Sequence, residues 1–98
     1  MTKEELYAPE LLARYVRVPE DDEDELAVLQ SLYLPAAVSH ICAQIGIDED
    51  TVYSKPELCI AALALTAYLY DNRSMAADND KINRVVDALI NQHAINLL

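Results

Sequence analysis

The chain predicts an all-α domain, a small bundle of about four helices around one buried central helix at about residues 55–72. Three observations carry that prediction. From Leu58 to Tyr70 every residue is apolar or tyrosine except Thr66, and a helix apolar on all sides belongs in a core rather than on a surface. One Gly and four Pro in 98 residues, with many Ala and Leu, suit helices better than a turn-rich β fold. Ile82, Val85, Val86, Leu89 and Ile90 recur at i, i+3, i+4, i+7 and i+8, the spacing of an amphipathic helix. The apolar stretch is roughly 20 Å long as a helix, too short to span a bilayer. The length is that of a single domain, residues 1–98.

Taken in order, Thr2-Lys3-Glu4-Glu5 has the Thr-x-x-Glu form of a capping box. Pro9 suits the first position of a helix, where its missing N–H costs nothing, and Leu11, Leu12, Tyr15 and Val16 then fall on one face. This helix ends near Arg17, because Pro19 disfavours helical geometry at Val18. The acidic run Glu20–Glu25, EDDEDE, opens the second helix, where carboxylates face the positive end of the helix dipole. That helix runs from about Asp22 to Gln44, with Leu26, Leu29, Tyr33, Ala37, Ile41 and Ile45 forming a continuous but drifting apolar face. Pro35 lies inside it and removes the bond to the Ser31 carbonyl, so a bend is expected there, or two helices meeting at Leu34-Pro35. Gly46, the sole glycine, is placed to end this element in the left-handed conformation, with Ile47 covering Ile41 or Cys42. Asp48–Tyr53 reads as a mostly polar connection. Ser54-Lys55-Pro56-Glu57 reads as a second capping box that starts the central helix. That helix frays at Asp71–Ser74, and Asp78, Asn79 or Asp80 caps the fourth. The tail from Ala94 ends in Leu97 and Leu98, either docked on its own core or offered to a neighbour.

Composition narrows the function. Seventeen acids against seven bases give a formal charge of −10, which repels nucleic acid and anionic membrane surfaces unless a basic face is segregated. Lys3, Arg14, Arg17, Lys55, Arg73, Lys81 and Arg84 are scattered, so a protein partner is expected and a membrane is not. MTKEELYAPE lacks the apolar core of a secretory signal. Cys42 and Cys59 sit in apolar helical stretches and read as buried free thiols; nothing in the sequence demands a disulfide. The acidic run lacks the glycine and the closing glutamate of a calcium loop. His40 and Cys42, two apart, do not share a helix face, and a zinc or nucleophilic site there would need distant help from Cys59 or His93. One glycine allows no phosphate loop. The expectation is a non-enzymatic protein without metal or cofactor. Tyr68 and Tyr70 read as core tyrosines whose hydroxyls reach the domain edge; alternatively Tyr70 and Arg73 contact a partner, being residue types enriched at interface hot spots.

Leu63–Arg73, LALTAYLYDNR, resembles the signature helix of the small head–tail connector proteins of tailed bacteriophages, ring-forming adaptors that dock beneath the portal. The preceding parts agree in order. YVRVPEDDEDEL is similar to that family's short first helix, acidic loop and second-helix start, and AAVSHICAQIGI to the end of its long second helix. Val85–His93 sits where the family has its short last helix. The chain departs from the pattern at Leu89-Ile90-Asn91-Gln92-His93, which lacks a terminal Arg, at Pro35, and in the short link from Ser74 to Asp78. The resemblance implies a structural virion protein made in the bacterial host cytoplasm and placed at the head–tail junction. It would form a ring of about twelve copies, bind the portal and a stopper or tail-completion protein, and meet DNA only as passing cargo. Head-to-tail closure needs two different complementary patches; the candidates are Asp22 and Glu23 on one side and Arg14, Arg17 or Arg84 on the other. A second reading is a small acidic regulatory protein that binds a basic partner or mimics DNA.

Overall fold

The computed structural model describes residues 1–72 and 79–92. Among these the ordered elements are all helical: α1 (Lys3–Leu6), α2 (Pro9–Val16), α3 (Glu23–Val28), a π-helical turn (Leu29–Tyr33), α4 (Leu34–Ile45), α5 (Glu49–Ser54), α6 (Pro56–Asp71) and α7 (Asn79–Gln92). Helix α3, the π turn and α4 form one unbroken helix, Glu23–Ile45. The described residues are therefore all-α, and a core of four longer helices is consistent with the arrangement, with α1 and α5 added to it.

Local rules explain most of the boundaries. The Thr2 hydroxyl accepts from the Glu5 N–H at 3.2 Å while the Glu5 carboxylate accepts from the Thr2 N–H at 3.0 Å, the reciprocal capping box. Pro9 occupies the first turn of α2. That helix closes with Arg17 in the left-handed conformation at φ 63°, and the Ala13 carbonyl accepts from the Val18 N–H at 3.2 Å, as in a Schellman ending. Asp22 caps α3, its carboxylate accepting from the Glu25 N–H at 3.3 Å. At the far end of α4, Gly46 is left-handed at φ 71°, and the Cys42 carbonyl accepts from both the Gly46 and Ile47 N–H groups at 2.9 and 3.2 Å.

The Pro35 region differs from expectation in an instructive way. Helical dihedrals persist through Leu29, Tyr33 and Leu34, so two separate helices do not meet at Leu34-Pro35. The chain instead makes a π turn just before the proline, and the Leu34 N–H donates to the Leu29 carbonyl, five residues back. The extra residue in this turn changes which side chains face inward. Leu26, Leu29, Leu34, Ala37, Val38 and Ile41 are buried, a step of five between Leu29 and Leu34. Tyr33, expected on the inner face, is only half-buried, and Leu32 is 64% exposed. By length and composition alone Glu23–Ile45 could cross a membrane, with 23 residues and a mean hydropathy of 1.5 over its most apolar 18-residue window; core helices also pass that test, and this one carries six core residues.

Helix α6 is the centre of the packing, in contact with α2, the long helix, α5 and α7. Leu58, Cys59, Ala61, Ala62, Leu63, Leu65 and Thr66 are buried. Small Ala61 and Ala62 let neighbouring backbones approach closely, and the Thr66 hydroxyl is satisfied by donating to the Ala62 carbonyl at 2.7 Å. Burial is not complete on every side, however: Ile60 is 38% exposed. On α7 the expected stripe forms, with Ile82, Val86 and Ile90 buried and Val85 and Leu89 packed beside them.

Three further expectations are corrected. Asp48–Tyr53 is not a polar connection. Asp48 caps α5 by accepting from the Thr51 N–H at 2.9 Å, and Val52 and Tyr53 enter the core. Ser54 does not cap α6, because it ends α5 and its hydroxyl donates to the Thr51 carbonyl at 2.8 Å; Lys55 stands at the α6 N-cap without a side-chain bond and Pro56 fills the first turn. Tyr15 points outward and is 40% exposed, its place on the inner face of α2 taken by Ala13. The capping role of Asp78, Asn79 or Asp80 lies outside the described residues and side chains.

Candidate functional site

The residues singled out as contacts are dispersed. Arg14 is exposed on α2, Arg17 is exposed at its left-handed end, and Arg84 is exposed on α7. Asp22 and Glu23 begin α3, five positions beyond Arg17, so α2's basic end and the acidic start belong to one connection. Asp22 is partly used by its own cap bond, whereas Glu23 is exposed. Tyr70 is half-buried and acts as an internal brace. Its hydroxyl donates to the Glu25 carboxylate, and its ring meets Tyr33 edge-on at 5.4 Å and 80°. Together these contacts pin the end of α6 to the start of the long helix. Arg73, Leu97, Leu98 and His93 lie outside the described residues.

The thiols do not form a reactive pair. Cys42 and Cys59 are both free. Burial, then the Glu49 and Asp48 carboxylates, push the Cys42 thiol above its ordinary value. Burial does the same for Cys59, whose sulfur lies 3.3 Å from the Val52 carbonyl oxygen. A raised thiol holds little thiolate and is a poor nucleophile. No group of three His, Cys, Asp or Glu among the described residues is placed to hold a metal ion.

The feature that sequence reasoning missed is an open cleft of about 590 Å³ between α1 and the long helix, within the size range of ligand sites. Its apolar lining comes from Tyr7, Pro35, Val38 and Cys42, and its charged groups are Lys3 and Glu49. Helix α1 is fixed in place beside it. Leu6 is fully buried, the Gln30 side-chain amide donates to the Tyr7 carbonyl at 2.7 Å, and the Tyr7 ring packs edge-on against Tyr53 at 6.3 Å. The Tyr7 and Tyr53 hydroxyl oxygens are 3.4 Å apart. Burial, followed by that hydrogen bond, pushes the Tyr53 hydroxyl well above its usual value, so it stays neutral. The Lys3 ammonium lies 5.5 Å from the Tyr7 ring centroid, within cation–π range. Pro35, which the sequence marks only as a bend, is among its lining residues. No family model matches the chain, and no curated protein or solved structure matches it either.

Proposed function

We propose that the protein is a head–tail connector, an adaptor that assembles as a ring beneath a phage portal, extends the DNA channel and receives the stopper or tail. The observation that carries this reading is the resemblance of Leu63–Arg73 to the signature helix of that family. The all-α fold is compatible with it, as is the position of its residues Leu63–Asp71 on the second half of the central helix. The charge of −10 suits a channel lining, since like charge keeps DNA from adhering. No enzymatic activity, cofactor or membrane association belongs to this role. The test is to mix the purified protein with its cognate portal protein and image the complex. A ring of added density on the portal is expected, and a complete lack of association overturns the reading. Charge reversal at Asp22 and Glu23 then asks whether these acids pair with Arg14, Arg17 or Arg84 of a neighbour; unchanged assembly excludes that pairing.

The same charge favours a second reading, an acidic regulatory protein bound to a basic partner or mimicking DNA. It predicts tight, salt-sensitive binding to a basic protein and no affinity for a portal.

A further inference from the structure

The long helix breaks two rules at one place, and that place lines the cleft. An interior proline and a π turn both cost helical hydrogen bonds. Regular helix would have the Leu34 N–H donate to the Gln30 carbonyl, but it donates to that of Leu29. Pro35 has no N–H to offer the Ser31 carbonyl. Two successive main-chain carbonyls thus lose their α-helical donors, and both belong to residues that line the cleft. Local rules are broken in this way mainly where function requires it, and π turns concentrate at functional sites.

We propose that this cleft seats a short peptide segment of a partner protein in which an arginine or lysine is flanked by apolar residues. The carbonyls and the Glu49 carboxylate accept from the cationic side chain and the peptide N–H groups, while Pro35, Val38 and the Tyr7 ring cover the apolar flanks. Among the described lining residues Lys3 is the one base, and its ammonium is held over Tyr7. The chain's charge of −10 favours a basic ligand and opposes an acidic one. The buried Leu6 and the Gln30–Tyr7 bond hold the cleft preformed, which lowers the ordering cost of binding. This inference does not rest on the connector reading.

The test uses the isolated full chain, ¹⁵N-labelled, titrated with acetyl-Leu-Arg-Leu-amide and, as a matched control, acetyl-Leu-Glu-Leu-amide. Expected are amide shifts centred on Gln30–Cys42 and on Lys3–Tyr7, with the arginine peptide binding more tightly. P35A supplies an N–H to the Ser31 carbonyl and removes an interior proline, so it should fold at least as stably as the wild type yet bind the arginine peptide about tenfold more weakly, the loss of one hydrogen bond to a charged group. E49Q should weaken it as well. The proposal is overturned by no shifts, by equal binding of the two peptides, by shifts centred on Glu20–Glu25 instead, or by a folded P35A that binds unchanged. Any of these outcomes leaves portal association to be decided by its own experiment.

Discussion

Arg17 shows how much a single backbone angle can hold back. Its φ of 63° is strained for any residue with a side chain, by about 1–2 kcal/mol. Glycine removes that strain and returns part of the gain through its greater freedom in the unfolded chain. R17G is therefore expected to stabilise the fold by about 0.5–1 kcal/mol, read as a higher urea midpoint with an unchanged slope; a lower midpoint would show that the side chain contributes more than its backbone costs. Asp48 offers a second measurement at this scale. The bonds from Thr51, its hydroxyl first and then its N–H, hold the Asp48 carboxyl below its ordinary value of 3.8. A depressed carboxyl contributes stability that is complete above the unfolded value and is lost as the pH falls through the folded one. D48A should accordingly be less stable than the wild type at neutral pH, and the gap should close below about pH 3.8. A gap that stays constant into acid would mean that the cap acts without its charge.

At the scale of elements, legibility followed locality. Thr2, Pro9, Gly46 and the α7 stripe obey rules that operate within one or two turns, and each behaves as its sequence context dictates. Helix α5 was hidden because its six residues show little periodicity; Val52 and Tyr53 are drawn inward by tertiary packing on α6. Ser54 reads as the cap of α6 because the Ser-x-x-Glu pattern cannot tell that Ser54 already lies in the last turn of α5, where its hydroxyl is held by the Thr51 carbonyl. A period of 3.6 leads from Leu29 to Tyr33 on the inner face of the long helix; the π turn adds a residue and puts Leu34 inside instead. The cleft needed long-range placement of α1, which no local pattern encodes. The burial pattern of α6 is itself testable. L65A removes a fully buried side chain and should cost about 2–5 kcal/mol, a large part of the stability of a small domain. I60A, at a position 38% exposed, should cost under about 1 kcal/mol. Equal losses would mean that α6 is buried all round in solution.

For the molecule as a whole, the dominant quantity is its charge. Ten uncompensated negative charges on 98 residues repel one another more in the compact state than in the expanded one. Raising ionic strength from about 0.01 to about 0.15 M shortens the screening length from about 30 to about 8 Å. The thermal midpoint should therefore rise with salt over that interval. A fall would indicate that attractive pairs outweigh the net repulsion. The same field acts at a distance on any partner, hastening the approach of a basic surface at low salt.

The π turn also bears on how the gene can change length. Removing one codon from a packed helix ordinarily turns everything beyond it by about 100°, exchanging core for solvent. Here the segment Leu29–Tyr33 already holds one residue more than regular helix needs, and exposed Leu32 is the natural one to omit. Its deletion would restore steps of three and four between the buried positions on either side. The long helix is thus a place where a single-residue deletion is absorbed, with the two halves kept in phase.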